Sequence, residues 1–321
     1  MQSKEAMLPL VSNRLKVPAP PTCIAVALAI ALLAPAAQTQ PTAAKSVAVG
    51  PQYDTTHVYV STADMNALVS SFIATFGGAA SPPGVTNIAP VPSSTAFQAV
   101  RTPAGLLSVF AFQTPIPYPF GEERTGYLVT DMDQAIKAAR DAGADVIVAP
   151  FKDPIGMDAI LEWPGGVKMQ LYWHFKASTS PPLDTIPENR VYLSSDRADA
   201  FVHSFVGFSG GQVLSDDKMA DAAEIGRVGE TYRRIRITSL FGSMMVLVTD
   251  GHLPYPFGYE TTGYAVRDLE ATLKKASEAD VKIVFPPHSS AGRTFAIVEF
   301  PGGYIAEIHT LTAAGAHADA P

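Results

Sequence analysis

The chain has 321 residues, a length that suits about two domains, and 47% of them are hydrophobic, enough for a sizeable core. Charged residues make up only 17%, and Lys+Arg 23 against Asp+Glu 30 leaves a net charge of −7 with no basic balance to attract nucleic acid. A single cysteine excludes a disulfide framework and a thiolate zinc site.

The first predicted element is a leader. Lys4, Arg14 and Lys16 precede a 12-residue apolar run over 23–34, followed by Ala34-Pro35-Ala36. As a helix rising ~1.5 Å per residue the run would span about 18 Å, short of the ~30 Å of a bilayer core. A positive start, a short apolar run and a small-residue site predict a signal peptide over 1–36 and a periplasmic or secreted protein; an uncleaved membrane anchor is the alternative. Cleavage after Ala36 removes Lys4, Glu5, Arg14 and Lys16, taking the charge from −7 to −9. It also removes Cys23, which suits an oxidising compartment, and it leaves no membrane span.

A strand is predicted over 57–61, where β-formers alternate. A helix follows, capped by Asp64, with Leu68, Phe72 and Phe76 on one face and Gly77-Gly78 at its end. Further strands end at Phe112. The loop Pro117-Tyr118-Pro119-Phe120-Gly121 leads to a strand over 126–130 and a helix capped by Asp131, with Met132, Ile136 and Ala139 inward and Gly143 at its end. Strands over 146–149, 157–163 and 167–173 complete the segment, the last two joined by the turn Pro164-Gly165-Gly166.

This order then recurs. PYPFGEERTGY at 117–127 reappears as PYPFGYETTGY at 254–264, and the turn at 164–166 returns as Pro301-Gly302-Gly303, both 137 residues later. The earlier segment, Val58-Tyr59-Val60-Ser61, returns as Val191-Tyr192-Leu193-Ser194, 133 residues later. The second copy's helices carry Phe201, Phe205 and Phe208, then Leu269, Leu273 and Ala276, with Asp196 and Asp268 at the expected caps. An internal repeat of this kind defines the organisation. Two domains are predicted over 52–176 and 188–311, with a Pro/Ser/Thr-rich linker over 177–187 and a disordered, Ala-rich tail over 312–321. The fold class is α+β: four βαβββ modules, paired into two domains with cupped mixed sheets.

Four such modules resemble the vicinal oxygen chelate superfamily of glyoxalases, extradiol dioxygenases and bleomycin-resistance proteins. The likeness is carried by His57-Val58-Tyr59-Val60-Ser61, by Tyr127-Leu128-Val129-Thr130-Asp131 and its helix, and by the two Pro-Gly-Gly hairpins. The resemblance implies two glyoxalase-like cups, each able to hold a divalent metal by His, Gln or Glu from the first and last strands of its modules. It also implies a small-molecule lyase or dioxygenase, or a non-catalytic binder of the bleomycin-resistance type.

At the positions implied for ligands, the first copy offers His57 and Gln170, with Arg124 where the second module's histidine would stand. The second copy offers Glu307, with Arg190 opposite and His309 two residues on. A guanidinium cannot ligate a metal, so a divalent ion is not supported in either cup. The expected function is therefore an exported, glyoxalase-like protein that acts on or binds a small anionic organic molecule, its metal site atypical or absent. His57 is the candidate catalytic residue, as a base or a ligand; its alternative is a core histidine. Tyr59 shares its strand face. Arg124, Gln170, Arg190 and Glu307 are candidate ligand-binding residues. For Arg190 and Glu307 the alternative is a buried ion pair, and for Arg124 a salt bridge to Glu122 or another acid. Glu123 and Glu260 are expected to tie the amides of a rigid PYPFG turn.

Overall fold

The first half begins with β1 (Thr56–Tyr59) and α1 (Met65–Phe76), which lead into β2 (Ala79–Ala80), β3 (Gly84–Ile88), β4 (Ser93–Thr102) and β5 (Gly105–Phe112). Its second module comprises β6 (Thr125–Leu128), α2 (Met132–Asp141), β7 (Asp145–Lys152), β8 (Gly156–Trp163) and β9 (Val167–His174). The second half repeats this with β10 (Glu188–Leu193), α3 (Ser195–Ser209), β11 (Gln212–Asp221), β12 (Thr231–Ser239) and β13 (Gly242–Val248), then β14 (Thr261–Ala265), α4 (Leu269–Glu278), β15 (Lys282–Ser290), β16 (Arg293–Phe300) and β17 (Tyr304–Leu311). This computed structural model describes residues 47–48, 52, 56–88, 91–176, 183, 185–290 and 292–311. The expected leader and tail and most of the expected linker lie outside them.

Each half forms one mixed sheet. The first runs β2-β4-β5-β1-β6-β9-β8-β7, with β3 also on β4; the second runs β11-β12-β13-β10-β14-β17-β16-β15. The opening and closing strands of both modules therefore meet at the middle of each sheet. In the first, His57 lies opposite Ser108 on parallel β5, and Gly126 opposite Gln170 on parallel β9. In the second, Arg190 lies opposite Met245 and Gly263 opposite Glu307.

Local chemistry accounts for most boundaries. Asp131 and Asp268 accept from the amides of Gln134 and Ala271, at 2.8 and 2.9 Å, and so cap α2 and α4. Two expected caps differ. Asp64 precedes α1, but its carboxylate takes the Ser61 hydroxyl at 2.7 Å and no helix amide. The cap residue of α3 is Ser194, whose hydroxyl donates to Asp196, the second residue of the helix. The first module also has four strands after its helix where three were expected. Pro82-Pro83 cannot donate to a ladder, so the outermost strand is broken into β2 and β3, both paired with β4. Its counterpart β11 runs unbroken, with two register shifts.

The cores are pooled between the halves. Leu68 and Phe72 of α1 pack with Tyr264, Leu273 and Phe300 of the last module; Phe72 lies 5.3 Å from the Tyr264 ring and 5.2 Å from Phe300. The second and third modules join in the same way: Phe201, Phe205 and Phe208 of α3 meet Ala135 and Ala139 of α2, and Trp163 lies 5.1 Å from Phe208. The helices thus cover the outer sheet faces, and the inner faces are left as two cups.

Candidate functional site: one open cup and one filled cup

The first cup holds a cavity of about 260 Å³. His57 and Ser108 line its floor, Phe97 and Phe110 one wall, and Asp158, Gln170, Tyr172 and His174 the other. Gln170, Tyr172 and His174 alternate along β9 and so present one face. His57 is 3% exposed, and its ring stands edge-on to Phe110 at 5.7 Å. Its Nδ1 lies 3.8 Å from Glu123 Oε1, and the same carboxylate oxygen accepts from the Tyr59 hydroxyl. Burial, and then the adjacent Glu123 charge, push the Tyr59 phenol well above its ordinary range, so it remains a donor. Glu123 therefore reaches His57 and Tyr59, where the sequence reading expected it to tie the amides of its own turn. Glu260, its counterpart, crosses to the other half and accepts from Thr125 Oγ1 at 3.2 Å. The loops keep their likeness in the backbone, with Tyr118-Pro119 and Tyr255-Pro256 both cis.

The second cup is filled. Arg190, at the place of His57, contacts Glu307 at 2.6 Å and Glu188 at 3.4 Å. Arg293 contacts Glu188 at 2.9 Å and also pairs with Glu307, and His309 Nδ1 lies 3.0 Å from Glu307. Burial raises the Glu188 carboxyl, but Arg293 and Arg190 outweigh it and hold it at about 2. A second cluster joins Arg234 to Glu224, which also accepts from the Tyr232 hydroxyl at 2.6 Å. Met245, Leu247, Phe295 and Ile297 occupy the remaining space. The differences from the first cup are specific: Met245 corresponds to Ser108, Phe295 to Asp158, Arg234 to Phe97 and Arg293 to Gly156.

The sequence candidates thus fall into three places. His57 and Gln170 lie on the open cup. Arg190 and Glu307 lie together in the filled one. Tyr59 and Arg124 line a larger crevice of about 710 Å³ between the halves, with His57 in the wall common to crevice and cup. Sequence reasoning missed Tyr172, His174, Asp158 and Ser108. The first two carry a legible signal, since they follow Gln170 at i+2 and i+4 of a strand. It also missed Arg293 and Glu188, whose signal is a charge within a strand otherwise rich in apolar residues.

The three-ligand metal set implied by the resemblance does not fit either cup. On β6 the residue paired with Gln170 is Gly126, and a Cβ there would fall 2.9 Å from His57 Nε2. Gly126 brings no side chain to that point and Arg124 lies on the crevice instead, which leaves His57 and Gln170. In the second cup the corresponding Gly263 faces Arg190 and His309, at 3.5 and 3.4 Å from a built Cβ, and two guanidiniums occupy the floor. Among the described residues no three His, Cys, Asp or Glu side chains are gathered to hold a metal ion. Also among the described residues, no helix is long and apolar enough to cross a membrane.

Neither a family model nor a curated protein matches the chain in sequence. Solved structures do match in fold. A mutant of 4-hydroxymandelate synthase from Streptomyces coelicolor aligns with 81% of this chain and 93% of its own, at 12% identity and a TM-score of 0.58. A fusion protein of a xylose isomerase-like TIM barrel with 4-hydroxyphenylpyruvate dioxygenase aligns with 84% of this chain and 50% of its own, at 13% identity and 0.54. The 2,3-dioxygenase LapB from Pseudomonas sp. KL28 aligns with 81% and 91%, at 11% identity and 0.50. The paired sheets, their strand order and these alignments give one conclusion: the chain has the tandem, two-sheet fold shared by 4-hydroxymandelate synthase and the 2,3-dioxygenase LapB.

Proposed function

We propose that this is an exported protein that binds or acts on a small organic molecule in its first cup, while the second cup is structural and neither holds a metal in the manner of the fold family. The observation that carries this reading is the asymmetry between the cups. The first keeps an apolar cavity with convergent polar groups, the usual character of a small-molecule site. The second uses its equivalent positions for ion pairs and core. His57, buried on the cup floor beside Glu123, is the group suited to exchange a proton with a bound molecule. Phe97, Phe110 and Tyr172 favour a flat or aromatic body, and Gln170 offers it an amide. The charged lining, Asp153 and Asp158 against two histidines, gives the cup no strong preference for an anion; the anionic character expected from Arg124 belongs to the crevice.

A non-catalytic binder is the second reading, supported by Gly126, which removes a ligand position that a metal-dependent lyase or dioxygenase of this fold would need. A melting-temperature screen against small aromatic alcohols, phenols, ketones and lactones tests the first-cup proposal. Some members should raise the melting temperature, and Ser108→Met, which gives the first cup the residue of the second, should abolish the rise. Rises that survive Ser108→Met but vanish on removal of Arg190 would reject it. Product formation from a hit, lost in His57→Ala, would separate enzyme from binder.

A further inference from the structure

We propose that the crevice between the two halves is an anion-binding site for small aromatic carboxylates, separate from the first cup, with Arg124 as the residue that receives the carboxylate. The crevice measures about 710 Å³ and is walled by tyrosines from both halves: Tyr59 from the first, and Tyr255, Tyr259 and Tyr304 from the second. Its other cation, Lys168, is neutralised by Glu122 and by Glu162 at 3.5 Å. The acid on the far side, Glu299, is taken by Lys282 at 2.9 Å and by the Tyr255 hydroxyl. Arg124 differs. Among the described residues it makes no ion pair; its guanidinium lies 5.8 Å from the Tyr59 ring centroid, along a ring that stacks on Phe110.

A partly buried guanidinium has five donors in a planar fork, and a carboxylate satisfies two of them at once. The tyrosines are suited to the ring of such a ligand: Tyr255 and Tyr259 are more than half exposed as single residues, and a flat aromatic body would cover them. Glu260, also on the lining, does not cancel the cation fully, because burial raises its carboxyl to about 7. Charge, planar donors and aromatic walls all match one ligand class, an aromatic ring bearing a carboxylate.

Isothermal titration of the folded protein with benzoate and 2-naphthoate, beside benzyl alcohol and 2-naphthylmethanol as neutral counterparts, tests the proposal. The carboxylates should bind at least about tenfold more tightly than the alcohols, as expected when a charge-assisted contact is gained. Arg124→Ala and Arg124→Gln should remove that preference, Arg124→Lys should retain part of it, and Tyr259→Ala should weaken naphthoate more than benzoate. Ser108→Met should leave carboxylate binding unchanged, because it fills the cup and not the crevice. Equal affinity for acids and alcohols, no carboxylate binding at millimolar concentrations, or binding that persists in both Arg124 variants while Ser108→Met abolishes it would each overturn the crevice site. The Arg124 and Tyr259 outcomes read the crevice whether or not the cup binds a ligand of its own, and the Ser108→Met outcome assigns any carboxylate binding found to one site or the other.

Discussion

At the position where β1 and β10 enter their cups, one half has His57 and the other Arg190. A histidine can ligate, donate or accept; a guanidinium only donates and stays charged. The charge at Arg190 requires the carboxylates of Glu307 and Glu188, and these bring Arg293 and His309 with them. Removing one member strands the others. Glu307→Ala should cost on the order of 3 kcal/mol or more in chemical denaturation, and replacing Arg190 and Glu307 together by apolar residues should cost less. Equal losses in the single and double variants would show that the pair is not a unit. Two carboxyls should also give opposite pH effects. Glu188, held near 2, contributes stability that is present above the ordinary carboxylate range and is lost as pH falls toward 2. Glu260, raised to about 7, contributes stability that is present below its ordinary value and is lost as pH rises through 7. Denaturation midpoints for Glu188→Gln should therefore lose the acid-side slope, and those for Glu260→Gln the slope between about pH 4.5 and 7.

At the scale of elements, the helices bind the halves together. Phe72 is wholly buried, and its neighbours Tyr264 and Phe300 belong to the last module. Phe72→Ala should cost roughly 3–5 kcal/mol by leaving a cavity in this shared core. Calorimetry should show one unfolding transition that moves as a whole in the variant; two transitions, only one of them shifted, would argue for independent halves. The elements themselves were legible in the sequence, because apolar spacing, the caps at Asp131 and Asp268, and the Pro-Gly-Gly turns act locally. Asp64 was misread because Ser61 takes its carboxylate, and Asp196 because α3 begins one residue before it, at Ser195. The partnership of α1 with α4 was not legible at all: a helix's apolar stripe shows that it packs, and not against which partner.

At the scale of the whole molecule, a duplicated fold has kept one cup open and closed the other. Part of this was legible: the repeat placed Gln170 opposite Glu307 in register and His57 opposite Arg190, which showed that the cups differ. The openness of the first was not, since it rests on Ser108 and Gly156 being small where Met245 and Arg293 are large, on strands whose inward face only the structure reveals. Gly126 has the same character: a glycine in a strand reads as weak β-former until a neighbouring histidine is seen to occupy its space. With two ligands in one cup and guanidiniums in the other, protein purified without chelator and dialysed should carry well under one equivalent of Fe, Mn, Ni, Co or Zn per chain. Chelator should leave its melting temperature unchanged, because an ion that does not bind the folded state does not stabilise it. A stoichiometric metal lost in His57→Ala would restore a metal-dependent enzyme. Expressed in a Gram-negative host, the mature protein should begin near Ala37; an intact mass that retains the leader in the cytosol would remove the export proposal.

The asymmetry of the two cups can be seen in a crystal structure of the protein with the strongest neutral binder from the screen. Ligand density is expected in the first cup, against Phe97, Phe110 and Tyr172 and within hydrogen-bond reach of His57 or Gln170, with the ion pairs of the second cup intact. Density in the second cup, with Arg190 displaced from Glu307 and the first cup empty, would contradict it.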